Sequence, residues 1–217
     1  MQISYGTINA DSDSIHYDQT NNIFERFLKD LKDSGQTKFY LETCNMNAAG
    51  CAVEAVGGKW KYTLPLDPKG KSLFGQDDLM AFYLYSTYGQ SNAPSVKDGV
   101  CENEVKSNIA WVIGECALVR AELVVALNAE SMVQKMDDAL LLGKAIVLSY
   151  FTDYNSGHFI TLVKRDSVLH TFTAHDPWPS NNLCRNGGVR EVYPDSFFIT
   201  RCTGDRLKFV TVCRKEA

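Results

Sequence analysis

The stretch Phe39 to Gly58, Phe-Tyr-Leu-Glu-Thr-Cys-Asn-Met-Asn-Ala-Ala-Gly-Cys-Ala-Val-Glu-Ala-Val-Gly-Gly, constrains the fold more than any other part of the chain. It opens extended and aromatic, turns at Thr43-Cys44-Asn45, and continues with small and apolar residues. Met46, Ala49, Val53 and Val56 recur at helical spacing, and Gly57-Gly58 stops the run. Thr43 suits an N-cap, which places Cys44 in the first turn of a buried helix. Orphan amides and the positive dipole end at that position favour a thiolate over a thiol. Ala48, Ala49, Gly50 and Ala52 let the helix pack close to whatever lies beneath it.

A lone cysteine in such a place is more often a small buried hydrophobe than a nucleophile. The chain holds seven cysteines, irregularly spaced and without a Cys-x-x-Cys pair. An odd count of that kind fits a reducing compartment better than a disulfide scaffold, and it lacks the usual signature of zinc. The N-terminal Met-Gln-Ile-Ser-Tyr-Gly-Thr-Ile-Asn lacks the basic and apolar regions of a secretory signal, so the expectation is a cytoplasmic protein. The net charge of −4 and the absence of a basic patch argue against nucleic acid as a partner. No apolar run is long enough to span a membrane.

Helical patterns dominate early and strand patterns late. Residues 1–20 are polar and turn-rich and read as an N-terminal arm. An amphipathic helix covers Ile23 to Leu31, a short extended segment Lys38 to Leu41, and another helix Leu79 to Tyr88. Val105 to Leu118 reads as a helix, Ala121 to Leu127 as a strand, and Asn128 caps an amphipathic helix ending at Gly143. Strand periodicity then takes over at Ala145 to Phe151, His158 to Lys164, Val168 to Ala174 and Leu207 to Cys213. A turn is expected at Arg165-Asp166, a loop from Asp176 to Arg190, and a short segment at Ser196 to Ile199. The pattern predicts one α+β domain over residues 1–217, with helices on one side of an antiparallel sheet.

The meander supplies a base for the thiol. His158 opens a strand directly after Asn-Ser-Gly, and Asp176 closes the next strand before Pro177. Antiparallel neighbours bring those two ends together, and alternation puts His158 on the face of Ile160 and Leu162, and Asp176 on that of Phe172 and Ala174. A carboxylate on one imidazole nitrogen fixes the tautomer and leaves the other nitrogen to take a proton from Cys44.

Thr43-Cys44-Asn45, Gly143-Lys144 before an apolar strand, Gly157-His158-Phe159 and His175-Asp176-Pro177 together resemble the papain-like cysteine peptidases of the bacteriocin-leader-processing type and their free-standing relatives. The likeness covers roughly residues 36 to 213 in layout, and these short motifs carry it. It implies a papain-like fold, with a helical part bearing the nucleophile packed on a sheet bearing His and Asp. The implied activity is a thiol hydrolase acting on a peptide or amide bond of a peptide or protein substrate, through an acyl-enzyme and without a cofactor. Cys44 would be nucleophile, His158 general base then acid, and Asp176 the orienter. The family places a Gln shortly before its Cys to complete the oxyanion hole; here the nearest is Gln36, further upstream. Glu42, two residues before Cys44, and Ala145 in place of the family's Pro are further departures. An acyltransferase or deamidase with the same triad, and a silent peptide-binding member, are the alternatives.

Other histidines and cysteines rank lower. His170 is expected in mid-strand on the Asp176 face, as a second candidate base without a glycine turn before it. His175 points to the opposite face, and His16 lies in the polar arm. Cys51, Cys116 and Cys213 suit structural roles, and Trp178 is placed to line a cleft or to shield the triad.

Overall fold

The computed structural model describes residues 44–62, 68, 102–153, 157–178 and 188–215. The arm, the helices expected at Ile23 to Leu31 and Leu79 to Tyr88, and the segment Lys38 to Leu41 lie outside those residues.

Among the described residues ten elements follow in order, with a 3-10 turn, Gly204–Arg206, before the last. They are α1 (Cys44–Ala55), α2 (Glu102–Cys116), β1 (Val119–Val125), α3 (Ala129–Leu141), β2 (Ala145–Phe151), β3 (Gly157–Asp166), β4 (Thr171–His175), β5 (Glu191–Pro194), α4 (Asp195–Arg201) and β6 (Lys208–Arg214). The strands make one six-stranded sheet in the order β1-β6-β2-β3-β4-β5, every pair antiparallel. The protein is therefore α+β.

The helices cover both faces of this sheet, not one. Ala145, Val147, Phe159, Val163, Val210 and Val212 form a core with α1 and α2. Their neighbours Ile146, Leu148, Ile160, Leu162, Phe172 and Phe209 form a second core with α3 and α4. The physical reason is visible in β2, which is buried at every position except Phe151. A strand apolar on both faces needs a layer on each side.

α1 is almost wholly buried, and its run of alanines and glycine brings its backbone close to the sheet. The contact is close enough for Thr161 Oγ1 of β3 to donate to the Ala48 carbonyl at 2.6 Å, a pinning bond between helix and sheet. Enlarging Ala48 or Ala49, both 0 % exposed, would overpack this seam at a cost of about 1–3 kcal/mol. The helix ends as its glycines require. Gly57 adopts a positive φ of 61°, and the Gly58 and Gly57 amides reach back to the Val53 and Glu54 carbonyls, both at 2.8 Å. Arg214 Nε takes the Val56 carbonyl at 2.6 Å, tying the end of the last strand to the end of the first described helix.

α3 begins with the expected cap: Asn128 Oδ1 accepts from the Ser131 amide at 2.8 Å, and Ser131 Oγ accepts from the Asn128 amide at 3.1 Å. Differences concentrate after β2. β3 runs through Arg165-Asp166, and the turn falls on residues 167–170, where Asp166 Oδ1 accepts from the Val168 and Leu169 amides at 3.0 and 2.9 Å. The pairing of β3 with β4 slips one residue between Leu162 and Lys164. That bulge carries Arg165 onto the face of Phe172, where its guanidinium lies 4.3 Å from the ring centroid. Ser196 to Ile199 lies within a helix, and a short edge strand, β5, precedes it.

Candidate functional site

Three elements converge where β3 begins and β4 ends. β3 starts at Gly157, so His158 is its first side chain on the α3–α4 face, beside Tyr150 of β2 with ring centroids 5.6 Å apart. β4 ends at His175, and Asp176 follows. His158 Nε2 and Asp176 Oδ1 are 2.6 Å apart, with side chains 5 % and 0 % exposed. A bond that short, out of water, is charge-assisted.

Cys44, the first residue of α1 and 8 % exposed, completes the group by hydrogen bonding to the imidazole. Burial by itself drives the His158 pKa down. The hydrogen bonds to Asp176 and Cys44 and the attraction of both outweigh it, and the imidazole is held up at about 10.

Asp176 is held from several directions. Its Oδ1 also accepts from the Trp178 amide at 2.9 Å, and its Oδ2 from the Tyr193 hydroxyl at 3.1 Å. Its own amide donates to the Gly188 carbonyl at 2.7 Å, and the Gly188 amide donates to Glu191 Oε1 at 3.1 Å. The Trp178 ring stands edge-on to the imidazole at a centroid distance of 6.4 Å. With Nε2 committed to the carboxylate, Nδ1 is the nitrogen left for the thiol.

The expected Cys44, His158 and Asp176 thus come together. Gln36, together with Thr43 and Glu42, lies outside the described residues, as does His16. His170 is displaced from its expected place. It belongs to the turn, not a mid-strand position, with φ of 52° and a side chain 73 % exposed, at the far end of the hairpin from Asp176. β3 stays paired with β4 through Asp166 across the bulge at Leu162–Lys164, so the turn, capped by the Asp166 side chain, comes later than the dipeptide Arg165-Asp166 suggests. His175 is buried opposite Thr161, on the face covered by α1.

The remaining described cysteines, Cys51, Cys116, Cys202 and Cys213, are buried and not disulfide-bonded. Burial pushes the Cys116 thiol up to about 11, which makes it inert. Sequence reasoning overlooked Tyr193. Its trace is the alternation Glu191-Val192-Tyr193, buried-exposed-buried in the structure, which four residues ending in proline make hard to recognise as a strand. Among the described residues no group of His, Cys, Asp and Glu has the arrangement of a metal site.

Compared with models of known protein families and with curated proteins, the chain matches none.

Proposed function

We propose that this chain is a papain-like thiol hydrolase that cleaves a peptide or amide bond of a peptide or protein substrate. The observation that carries the reading is one buried imidazole bridging a carboxylate and a thiol, with the thiol at a helix N-terminus. The raised His158 pKa keeps the imidazole protonated beside the thiol of Cys44, and the positive charge next to a thiol at a helix start is the setting that activates it.

From that pair the chemistry follows in two stages. Cys44 Sγ adds to the scissile carbonyl carbon, and the carbonyl oxygen takes the electron pair. The amide N–H of Cys44 faces that oxygen from the helix start, and the Gln36 side-chain amide is the second donor on this reading. His158 gives its proton to the departing amine as the C–N bond breaks, leaving an acyl-thioester. The neutral imidazole then takes a proton from water, whose oxygen attacks the thioester; Cys44 leaves as thiolate and the acid is released. Asp176 remains ionised throughout and keeps Nε2 protonated and aimed.

An amine or alcohol in place of the water makes the same site an acyltransferase, and a Gln side chain as substrate makes it a deamidase. The test is incubation with a mixed peptide pool and mass-spectrometric reading of the products, wild type against Cys44→Ala. New peptide termini that need Cys44 are the expected result. Gln converted to Glu, or new adducts on amines, would move the reading to the deamidase or the transferase. A pool unchanged by the wild type would overturn catalysis and leave the silent peptide-binding reading. No helix among the described residues is long and apolar enough to cross a membrane.

A further inference from the structure

The carboxylate that aims the imidazole is itself aimed from β5. We propose that Tyr193 is the positioning residue of the His158–Asp176 dyad, its phenol fixing the carboxylate so that Oδ1 stays on His158. This rests on the thiol-hydrolase reading and extends it to a residue outside the Cys-His-Asp set.

The geometry is specific. A carboxylate tethered through one oxygen swings about that tether, whereas one tethered through both does not. Oδ1 is held by His158 Nε2 and the Trp178 amide, and the Tyr193 hydroxyl takes Oδ2. Tyr193 has little freedom of its own: it is 4 % exposed, its backbone pairs with Phe172, and the Phe197 ring lies 4.7 Å away, centroid to centroid. A hydroxyl donor also favours the charged form of the carboxylate over the neutral acid. The titratable side chains around the dyad on the described elements are Cys44 from α1, Tyr150 from β2, and Glu191 and Tyr193 from β5. Glu191 acts on the Asp176 backbone through Gly188, so its hold is separate from the one on Oδ2.

The experiment is the pH profile of Cys44 alkylation by iodoacetamide, read by mass spectrometry, in wild type, Tyr193→Phe and Phe197→Leu. Tyr193→Phe keeps the ring and removes the donor. The acid edge of Cys44 reactivity is expected to move up by about one pH unit, lowering the rate about tenfold on the acid side of the wild-type edge, a typical worth for one hydrogen bond to a charged group. Phe197→Leu loosens the same packing and lowers Tm without touching the hydroxyl, so its pH profile should follow the wild type. A Tyr193→Phe profile superimposable on the wild type, or a Phe197→Leu profile shifted as far, would make Tyr193 a merely structural residue and overturn the proposal. A wild type without selective Cys44 labelling would instead overturn the hydrolase reading, and this proposal with it.

Discussion

A histidine–aspartate pair lies at each end of the hairpin of β3 and β4, the second with its aspartate supplied by α4, and the two pairs have little else in common. At one end His158 and Asp176 are buried, 2.6 Å apart, with the thiol of α1 on the imidazole. At the other, His170 Nδ1 lies 3.5 Å from Asp195 Oδ2, with the histidine side chain 73 % exposed. Asp195 is already engaged there by Arg165, which contacts both its oxygens and also approaches Asp137 Oδ2 at 3.4 Å. Those carboxylates hold the Arg165 guanidinium even further above its usual pKa. A permanent cation satisfies the carboxylate and leaves nothing for proton transfer. Where the carboxylate is paired with an imidazole, it tunes a group that can give its proton away. The contrast teaches that residue pairing alone does not mark a catalytic dyad; burial and the competing cation decide.

Replacing the two aspartates separates the ends most sharply. Asp176→Asn should keep the fold and lower turnover by about 10³–10⁴, because the amide favours the wrong imidazole tautomer. Asp195→Asn should leave turnover within about twofold yet cost about 1–3 kcal/mol in urea unfolding, since it strips Arg165 of its bidentate partner. Equal turnover losses in the two variants would erase the distinction. Next in size is Gln36→Ala, with about 10²–10³ lost in turnover and little change in stability if its amide is the second oxyanion donor. Full activity in that variant would remove Gln36 from the site.

Stability against pH offers a third comparison. The folded-state pKa of His158, about 10, lies above the ordinary 6.5, so the folded protein binds the extra proton between those values. The dyad's contribution is fully present below about 6.5 and is lost as pH rises through about 10. Chemical denaturation should therefore show stability falling across that window in the wild type and a flatter profile in His158→Gln. Parallel profiles would contradict the charged pair. The smallest effect is expected for His170→Ala, within about 0.5 kcal/mol and about twofold in turnover, because its pair is exposed and screened. A large loss there would restore His170 as a rival base.

The same contrast shows what the residue pattern could reveal. Helix ends were legible because their signals are local: Gly57, Gly143 and Asn128 act within one turn of chain. The His158–Asp176 neighbourhood was legible because two-residue periodicity and a short connection leave a meander few arrangements. The position of His170 was not, since it depends on a bulge at Leu162–Lys164 that only the pairing with β4 defines. The two-faced covering of the sheet was underread as well, although the uninterrupted apolar run of β2 already required it. Tyr193 was hidden for a third reason: its role comes from a strand neighbour far off in sequence, and nothing in Glu-Val-Tyr-Pro announces a partner at Asp176.

If His158 and Asp176 activate Cys44, it is the thiol that reacts first, ahead of the buried Cys51, Cys116, Cys202 and Cys213. Sparing treatment with iodoacetamide near pH 6, well below the ordinary thiol pKa of about 8.5, followed by quantification of label at all seven cysteines, tests it directly. Cys44 should take nearly all the label in the wild type, and His158→Ala should abolish that preference although it leaves the thiol no less accessible. Label spread over several cysteines, concentrated on another, or unchanged at Cys44 when His158 is removed would contradict the claim.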